Sequence, residues 1–313
     1  MTASQILSSP AFFDVQTFIF SYLPIPLLII LMRHKPSLAP AITHGALTAY
    51  QRHLTPYFEN VEGFRDLMRT YNILLTGSTA LAIWLSPVTW KPHNLNLFCS
   101  YTAGTKLQHF LLAHGFVSSY GPHLRSIEEF IPPTSPNDII HHRFRYHKCD
   151  NANTIIDILV TSDTNPIHLL FECHATACMN YMTADSIVSL YPELTNLRHT
   201  LFQDHLYHNE AHRLRSRYHI RGFTSILPQV IVFLHHETVL RLIHPQQSPH
   251  RRCNLKCGNL IRFVGDTATS HLSFSNSHDL QKQMCDYASW WIEVPNNCRH
   301  PLHRDEHPPE NHT

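Results

Sequence analysis

The chain has 313 residues, of which 43% are apolar and only 15% charged, and its formal net charge is +1. This length suits one large domain or two modest ones. A near-neutral chain lacks the clustered positive charge by which nucleic acids are usually held. Arg213, Arg215, Arg217 and Arg221 form one local exception. A solvated helix face is the favoured interpretation of that spacing, with a nucleic-acid patch as the alternative.

Cysteine and histidine usage argues against a metal-rich or disulfide-bonded protein. The eight cysteines contain no Cys-x-x-Cys pair, and Cys253 and Cys257 are followed by no second pair at zinc-site spacing. Free thiols in a reducing compartment are therefore expected, which predicts an intracellular, cytoplasmic or nuclear protein. Among 27 histidines, only His208/His212 and His303/His307 have i,i+4 spacing. Random placement gives about two such pairs, so no metal site is predicted from them.

The first informative segment runs from Val15 to Met32 and contains no charged residue. Pro24 and Pro26 interrupt it, so we expect two buried helices, the second from about Pro26 to His34, rather than a membrane anchor. Residues 23–31 (LPIPLLIIL) resemble the opening of an F-box, a helical module that docks proteins onto the adaptor of a ubiquitin ligase. The acidic residue of that motif is absent, because Pro26 occupies its position.

A helix, a strand and a second helix are predicted next. Val61 to Thr70 has helical spacing of its apolar residues, and Ile73 to Thr76 is a short apolar run typical of a buried strand. Gly77-Ser78 ends the strand, and Thr79 to Leu85 is expected to be helical. Glycine permits close approach of an anion, and the unpaired amides at a helix start point towards it. The pattern predicts a phosphate site at Gly77 and Ser78.

Two further strands carry polar side chains that a buried strand would not need. The run from Asn94 to Phe98 alternates as a strand, so Asn94 and Asn96 share one face. Thr154 to Val160 is strand-like with Asp157 at its centre. Because a lone carboxylate is costly to bury, Asp157 is expected to face a polar site or a partner.

The remaining elements are predicted less sharply from spacing alone. We expect strands at Arg143–Cys149 and Ile155–Val160, paired through a turn at residues 150–153. A loop is expected at Pro132–Asn137. Helices are expected at Thr105–Phe116, Pro166–His174, Ala184–Leu190 and Glu193–Tyr218.

Several segments together resemble the nucleotidyltransferase superfamily, and within it an uncharacterised fungal group. They are residues 53–58 (HLTPYF), 63–65 (GFR), 75–81 (LTGSTAL), 171–183 (FECHATACMNYMT), 217–223 (RYHIRGF) and 262–266 (RFVGD). The resemblance implies an α/β (α+β) fold, a mixed sheet flanked by helices with a helical N-terminal segment. It implies a helical segment at residues 1–50, a nucleotidyltransferase-like core at 51–225 and an extension of the same domain at 226–299. The tail at 300–313, rich in His, Pro and acidic residues, is expected to be disordered.

The chain departs from that family at the residues that carry the chemistry. Where the family reads Asp-x-Asp to hold two divalent ions such as Mg²⁺, this chain reads Asn94-Leu95-Asn96. Asp157 corresponds to the third acid, which handles the acceptor hydroxyl. The resemblance therefore implies a catalytically impaired protein that binds a nucleotide or phosphate, or a protein partner. Alternatives are an active, Mg²⁺-dependent transferase that uses Asp157 with Asp163 or Asp185, and an F-box-like adaptor. A plainer possibility is that the asparagines are ordinary strand residues, Gly77-Ser78 a helix cap and Asp157 a salt-bridged surface acid.

Overall fold

The computed structural model describes residues 9–119, 140–161, 165–171, 173–202, 208–225, 262–263, 269–274 and 289–290. Four helices precede the sheet: α1 (Phe13–Phe20), α2 (Ile25–His34), α3 (Ala39–Leu54) and α4 (Val61–Tyr71). Short 3-10 turns at Pro10–Phe12 and Pro36–Leu38 lead into α1 and α3.

The two expected N-terminal helices are confirmed, but each buries only one face. In α2, Ile25, Leu28 and Ile29 are buried, whereas Leu27 and Ile30 are exposed. Helix α1 ends before Ser21, and α2 begins directly after Pro24. Across the described ranges, no helix has both the length and the apolar content that a membrane span requires.

Helix α4 has the bounds that the sequence predicts, because residues at both ends favour them. The side chain of Asn60 accepts a hydrogen bond from the Gly63 amide at 2.8 Å, which caps the first turn. Asn72 adopts the left-handed conformation (φ 50°) and ends the helix. Phe64 and Met68, one turn apart, are buried, Phe64 against the rings of Phe58 and Phe110 and Met68 against the hydroxyl of Tyr50.

Eight strands form one mixed sheet, and two further pairs lie apart from it. The strands are β1 (Leu74–Thr76), β2 (Asn94–Ser100), β3 (Phe116–Ser118), β4 (Ile140–Lys148), β5 (Asn151–Thr161), β6 (Asn180–Met182), β7 (Ser186–Ser189), β8 (His199–Thr200), β9 (Thr224–Ser225), β10 (Arg262–Phe263), β11 (Ser270–Ser273) and β12 (Ser289–Trp290). The large sheet has the order β11-β7-β6-β1-β2-β5-β4-β3, and β8-β9 and β10-β12 are separate pairs. Within the large sheet, β2 and β5 pair in parallel, and the other neighbouring strands pair antiparallel.

Helices cover this sheet, which confirms the predicted α/β class with a helical N-terminal segment. The later helices are α5 (Gly77–Leu85), α6 (Tyr101–Ala113), α7 (His168–Phe171), α8 (Pro192–Asn196) and α9 (His208–Ile220). Leu75 and Leu97 belong to a large apolar cluster that also contains buried residues of α2, α3, α4 and α5. Their neighbours Leu74 and Phe98 belong to a smaller cluster on the opposite face.

Several predicted elements differ from the structure. The helix expected at Thr105–Phe116 begins at Tyr101, because Ser100 accepts a bond from the Ala103 amide, and it ends at Ala113 before the left-handed Gly115. The segment Ala184–Leu190 is not a helix but contains β7, whose four residues are all buried and show no alternation. The helix expected over Pro166–His174 is limited to α7. That expected over Glu193–Tyr218 is split into α8, β8 and α9.

The predicted hairpin is correct, with longer strands than expected. Strands β4 and β5 pair antiparallel, and residues 151–153, expected in the turn, already belong to β5. The loop expected at Pro132–Asn137 and the tail at 300–313 lie outside the described residues.

Candidate functional site

The predicted polar residues of β2 and β5 lie side by side. Because β2 and β5 are parallel with Asn96 opposite Asp157, the side chains of Asn94, Asn96 and Asp157 leave the same face of the sheet. The Asn94 Nδ2 group donates to Asn96 Oδ1 at 3.0 Å and to Asp157 Oδ2 at 2.6 Å. The three residues are therefore one hydrogen-bonded set.

Gly77 lies against that set, at the end of the neighbouring strand. Strand β1 pairs antiparallel with β2 so that Thr76 is opposite Asn96, and Gly77 follows directly. Gly77 has φ +70°, and a Cβ added there would lie 2.6 Å from Asn96 Nδ2. Both the left-handed backbone and the close amide therefore require glycine. Ser78 is the second residue of α5, and both positions are partly exposed.

Sequence reasoning missed Arg145, which completes the set from the other side. Arg145 is opposite Asp157 in the β4–β5 hairpin. Its Nε donates to Asp157 Oδ1 at 2.6 Å and its Nη2 to Oδ2 at 2.9 Å, a two-pronged pairing of a guanidinium with a carboxylate. The predicted strand at Arg143–Cys149 contains Arg145. Its position opposite Asp157 depends on the register of the β4–β5 hairpin, and residue spacing alone does not give the bounds of the turn that sets this register.

The oxygens of this set do not fit a magnesium site. Mg²⁺ prefers charged oxygen ligands in octahedral geometry and releases its water reluctantly. Here the only formal negative charge is that of Asp157, which the charge of Arg145 offsets. Both carboxylate oxygens already accept hydrogen bonds, and Asn96 Oδ1 accepts one from Asn94. A divalent ion would have to displace the guanidinium and would gain two neutral amide oxygens and one carboxylate.

Asp185, considered above as an alternative acid, is bound elsewhere. Met182 of β6 pairs with Leu75, so the turn after β6 lies at the edge of the sheet where β1 begins, opposite to the Gly77 end. Asp185 in that turn accepts bonds from Arg69 Nε at 2.8 Å and Arg65 Nη2 at 3.1 Å. The Arg69 hydrogen bond, opposed by partial burial, holds the pKa of Asp185 below its ordinary value. Asp185 therefore does not join Asp157, and Asp163 lies outside the described residues.

The remaining candidates from the sequence are the arginines of α9 and the cysteines. Arg213, Arg215 and Arg217 are exposed on α9, whereas Leu214 and Tyr218 of that helix are buried, as a solvated helix face requires. Cys99, Cys149, Cys173 and Cys178 are free thiols. In the portion of the chain that the structure covers, no three His, Cys, Asp or Glu side chains are grouped to hold a metal ion.

Comparison of the chain with protein-family models, with curated proteins and with solved structures found no match.

Proposed function

We propose that this chain is a nucleotidyltransferase-like protein that binds the phosphate groups of a nucleotide without divalent ions and does not transfer nucleotides efficiently. The observation that carries the proposal is the set formed by Asn94, Asn96, Asp157 and Arg145 beside Gly77. Amides and an ion pair stand where the resembled family has metal-binding carboxylates.

The loss of catalysis follows from charge. In a metal-dependent transferase the ions supply several kcal/mol of charge stabilisation, and each ~1.4 kcal/mol corresponds to about tenfold in rate. Asp157 with Arg145 sums to zero formal charge, so the set offers little attraction to a cation. The carboxylate, bound at both oxygens, is also poorly available as a base towards an acceptor hydroxyl.

Phosphate binding is supported by the start of α5. The N-terminal end of a helix presents free amides and a partial positive charge, which suits an anion without any carboxylate or metal. Thr76 precedes α5 and gives no side-chain cap to its first turn. The hydroxyl of Ser78 makes no hydrogen bond with the residues described, so it remains able to donate to a phosphate oxygen.

The test is a titration of the full chain with ATP, once with Mg²⁺ and once with excess chelator. We expect the same affinity in both. Ser78→Ala should weaken binding by about threefold to tenfold, the value of one hydrogen bond of ~1 kcal/mol. Ser100→Ala is the matched control, because Ser100 caps α6 at the opposite end of β2. Absence of ATP binding at millimolar concentration, or binding that requires Mg²⁺, would refute the proposal.

The alternative of an active transferase is tested separately. Nucleotide transfer is measured with Mg²⁺ or Mn²⁺ for the native chain, for Asp157→Ala and for Asn94→Asp/Asn96→Asp. We expect no transfer by the native chain. Transfer by the native chain that is lost in Asp157→Ala would establish the active enzyme and overturn the impaired one.

A second candidate function, protein recruitment through the N-terminal helices, is favoured by an exposed apolar surface. Seven large apolar side chains of α1, α2 and the turn between them are exposed: Phe13, Val15, Phe18, Ile19, Tyr22, Leu27 and Ile30. An apolar surface of this kind commonly marks a protein interaction site. Two of its members, Leu27 and Ile30, belong to the segment that resembles an F-box.

Recruitment is tested by a pull-down with the F-box-binding adaptor of ubiquitin ligases. If the surface docks that adaptor, Leu27→Ser/Ile30→Ser should abolish capture, and Leu112→Ser, which changes an exposed leucine on α6, should not. Failure of the native chain to capture the adaptor would remove this candidate.

A further inference from the structure

A second group of reactive side chains lies around Cys178, which is not a member of the hydrogen-bonded set of Asn94, Asn96, Asp157 and Arg145. Cys178 ends the 3-10 turn Thr176–Cys178, which leads into β6 and contacts helix α5. Its side chain is buried. The Sγ atom lies 3.4 Å from Nε2 of His174 and 2.5 Å from the hydroxyl oxygen of Tyr218 on α9. A thiol within hydrogen-bond distance of an imidazole is the arrangement that favours transfer of the thiol proton to the ring.

Aromatic neighbours hold the imidazole and the phenol in place. The His174 ring stacks on Phe202, with centroids 6.4 Å apart and planes at 21°, and it is tilted against Tyr218 at 5.8 Å. Tyr218 also meets Phe223 edge to face at 5.8 Å. His174 is partly exposed whereas Cys178 is buried, so the ring connects the thiol to solvent.

Arg221 adds a positive charge on the side of Tyr218. Its guanidinium lies 4.7 Å over the ring of Trp90 and 5.6 Å over that of Tyr218. No carboxylate among the described residues pairs with it, and the anions that act on it are those that Cys178 and Tyr218 would carry. This partly buried cation favours a negative charge on the sulfur of Cys178.

These neighbours determine the direction in which the pKa of the Cys178 thiol is shifted. Burial alone would raise the pKa of Cys178, but the charge and hydrogen bond of His174, the Tyr218 hydrogen bond and the charge of Arg221 together hold that pKa below its ordinary value. Burial and the adjacent sulfur charge raise the pKa of Tyr218, so the phenol stays protonated and donates to the sulfur. Arg217 and Cys173 are the other titratable groups that act on this cluster.

We propose that Cys178 is an activated thiolate, paired with the protonated ring of His174, and that it is a site of oxidation by hydrogen peroxide. The thiolate sulfur forms a bond to one peroxide oxygen and the O–O bond breaks. The hydroxide that leaves takes the proton of the His174 imidazolium and becomes water, and Cys178 is left as a sulfenic acid. Sulfur is oxidised by two electrons and peroxide is reduced. Burial restricts the reaction to small oxidants, which is why peroxide is favoured over a large substrate.

The experiment measures how the oxidation rate of each cysteine depends on pH in the native full chain. Aliquots at pH 6 to 8 receive a brief pulse of hydrogen peroxide, which catalase removes. Sulfenic acids are then trapped with dimedone at one fixed pH and quantified by peptide mass spectrometry. Cys149 is the exposed control, and Cys99, whose pKa burial raises to about 12, is the buried control.

The pH profile decides the proposal independently of accessibility. The thiolate fraction of an ordinary cysteine rises about tenfold per pH unit below its pKa of ~8.5, and the rate of its oxidation rises with that fraction. From pH 6 to pH 8 the Cys178 rate should rise less steeply than the Cys149 rate. A Cys178 rate that rises in parallel with that of Cys149, or no labelling of Cys178, would overturn the proposal.

Substitution of His174 provides the second measurement. His174→Gln keeps a hydrogen-bonding group but removes the titratable charge. We expect the Cys178 rate at pH 7 to fall at least tenfold and to rise more steeply with pH, with the Cys149 rate unchanged. An unchanged Cys178 rate and an unchanged pH profile in a folded His174→Gln chain would contradict the assigned role of His174. If that variant does not fold, the pH profile of the native chain still decides the question.

Discussion

Substitution of Gly77 tests the geometry of the candidate site without any assumption about its ligand. Gly77→Ala adds one methyl group at φ +70°, at a point 2.6 Å from Asn96 Nδ2. Two costs follow, a backbone cost for the left-handed conformation and a steric cost for the contact with the amide. Gly115→Ala separates them, because Gly115 has φ +78° and nothing lies within 4 Å of its added Cβ.

The two costs can be given approximate magnitudes. A non-glycine residue in the left-handed region costs roughly 1 to 2 kcal/mol, which is the whole effect expected for Gly115→Ala. An additional methyl group forced into a packed site costs about 1 to 3 kcal/mol more. Gly77→Ala should therefore lower the free energy of unfolding by about 2 to 5 kcal/mol, clearly more than Gly115→Ala.

The assay is equilibrium unfolding in urea of five chains: native, Gly77→Ala, Gly115→Ala, Asn96→Ala and the Gly77→Ala/Asn96→Ala double variant. Removing the Asn96 side chain relieves the contact, so the double variant should be more stable than the sum of the single effects predicts, by at least 1 kcal/mol, within the range typical of residues in contact. Equal destabilisation by Gly77→Ala and Gly115→Ala, with additive effects in the double variant, would show that Asn96 does not lie over Gly77.

Three further predictions concern stability. Asp185→Asn should lower the free energy of unfolding, measured in urea, by about 2 kcal/mol, because it removes hydrogen bonds between charged groups. The control is Asp66→Asn, at an exposed i,i+3 pair with Arg69, which should change that free energy by less than about 0.5 kcal/mol. Because the pKa of Asp185 is lowered in the folded chain, the contribution of its carboxylate to stability is present above the unfolded pKa of ~3.9 and is lost as pH falls through the folded pKa. Between pH 6 and pH 2, the free energy of unfolding should therefore fall less for Asp185→Asn than for the native chain. Trp84→Phe should cost about 1 to 3 kcal/mol in thermal or urea unfolding, because the Trp84 Nε1 bond to Asn196 at 2.9 Å is lost and the smaller ring leaves space at a fully buried position; no measurable loss would contradict this packing and that bond.

The candidate site was predictable because its parts lie on elements with plain local signals. Each part has a local sequence pattern that can be recognised without the structure. Gly77-Ser78 follows an apolar run, Asn94 and Asn96 alternate along a strand, and Asp157 lies in the centre of an apolar strand. The structure brings Asn94, Asn96, Asp157 and Gly77 together. Their role in binding stays a prediction.

Long-range pairing was the part that local patterns could not supply. Arg145 depends on the register of the β4–β5 hairpin, and a shift of one residue would turn it to the other face. Strand β7 was mistaken for a helix because a strand buried on both faces has no alternation. The cluster at Cys178 unites His174, four residues earlier, with Tyr218, forty residues later, and only the contact between α9 and the turn before β6 brings them together.

Arg145 makes an acidic metal site difficult to build at this position one substitution at a time. With Asn94→Asp alone, the 2.6 Å contact to Asp157 would join two anions, and a single guanidinium would have to offset both. Removing Arg145 first would leave Asp157 without its cation. Either of these single substitutions is therefore unfavourable by itself, so an acidic metal site at this position would require several changes made together.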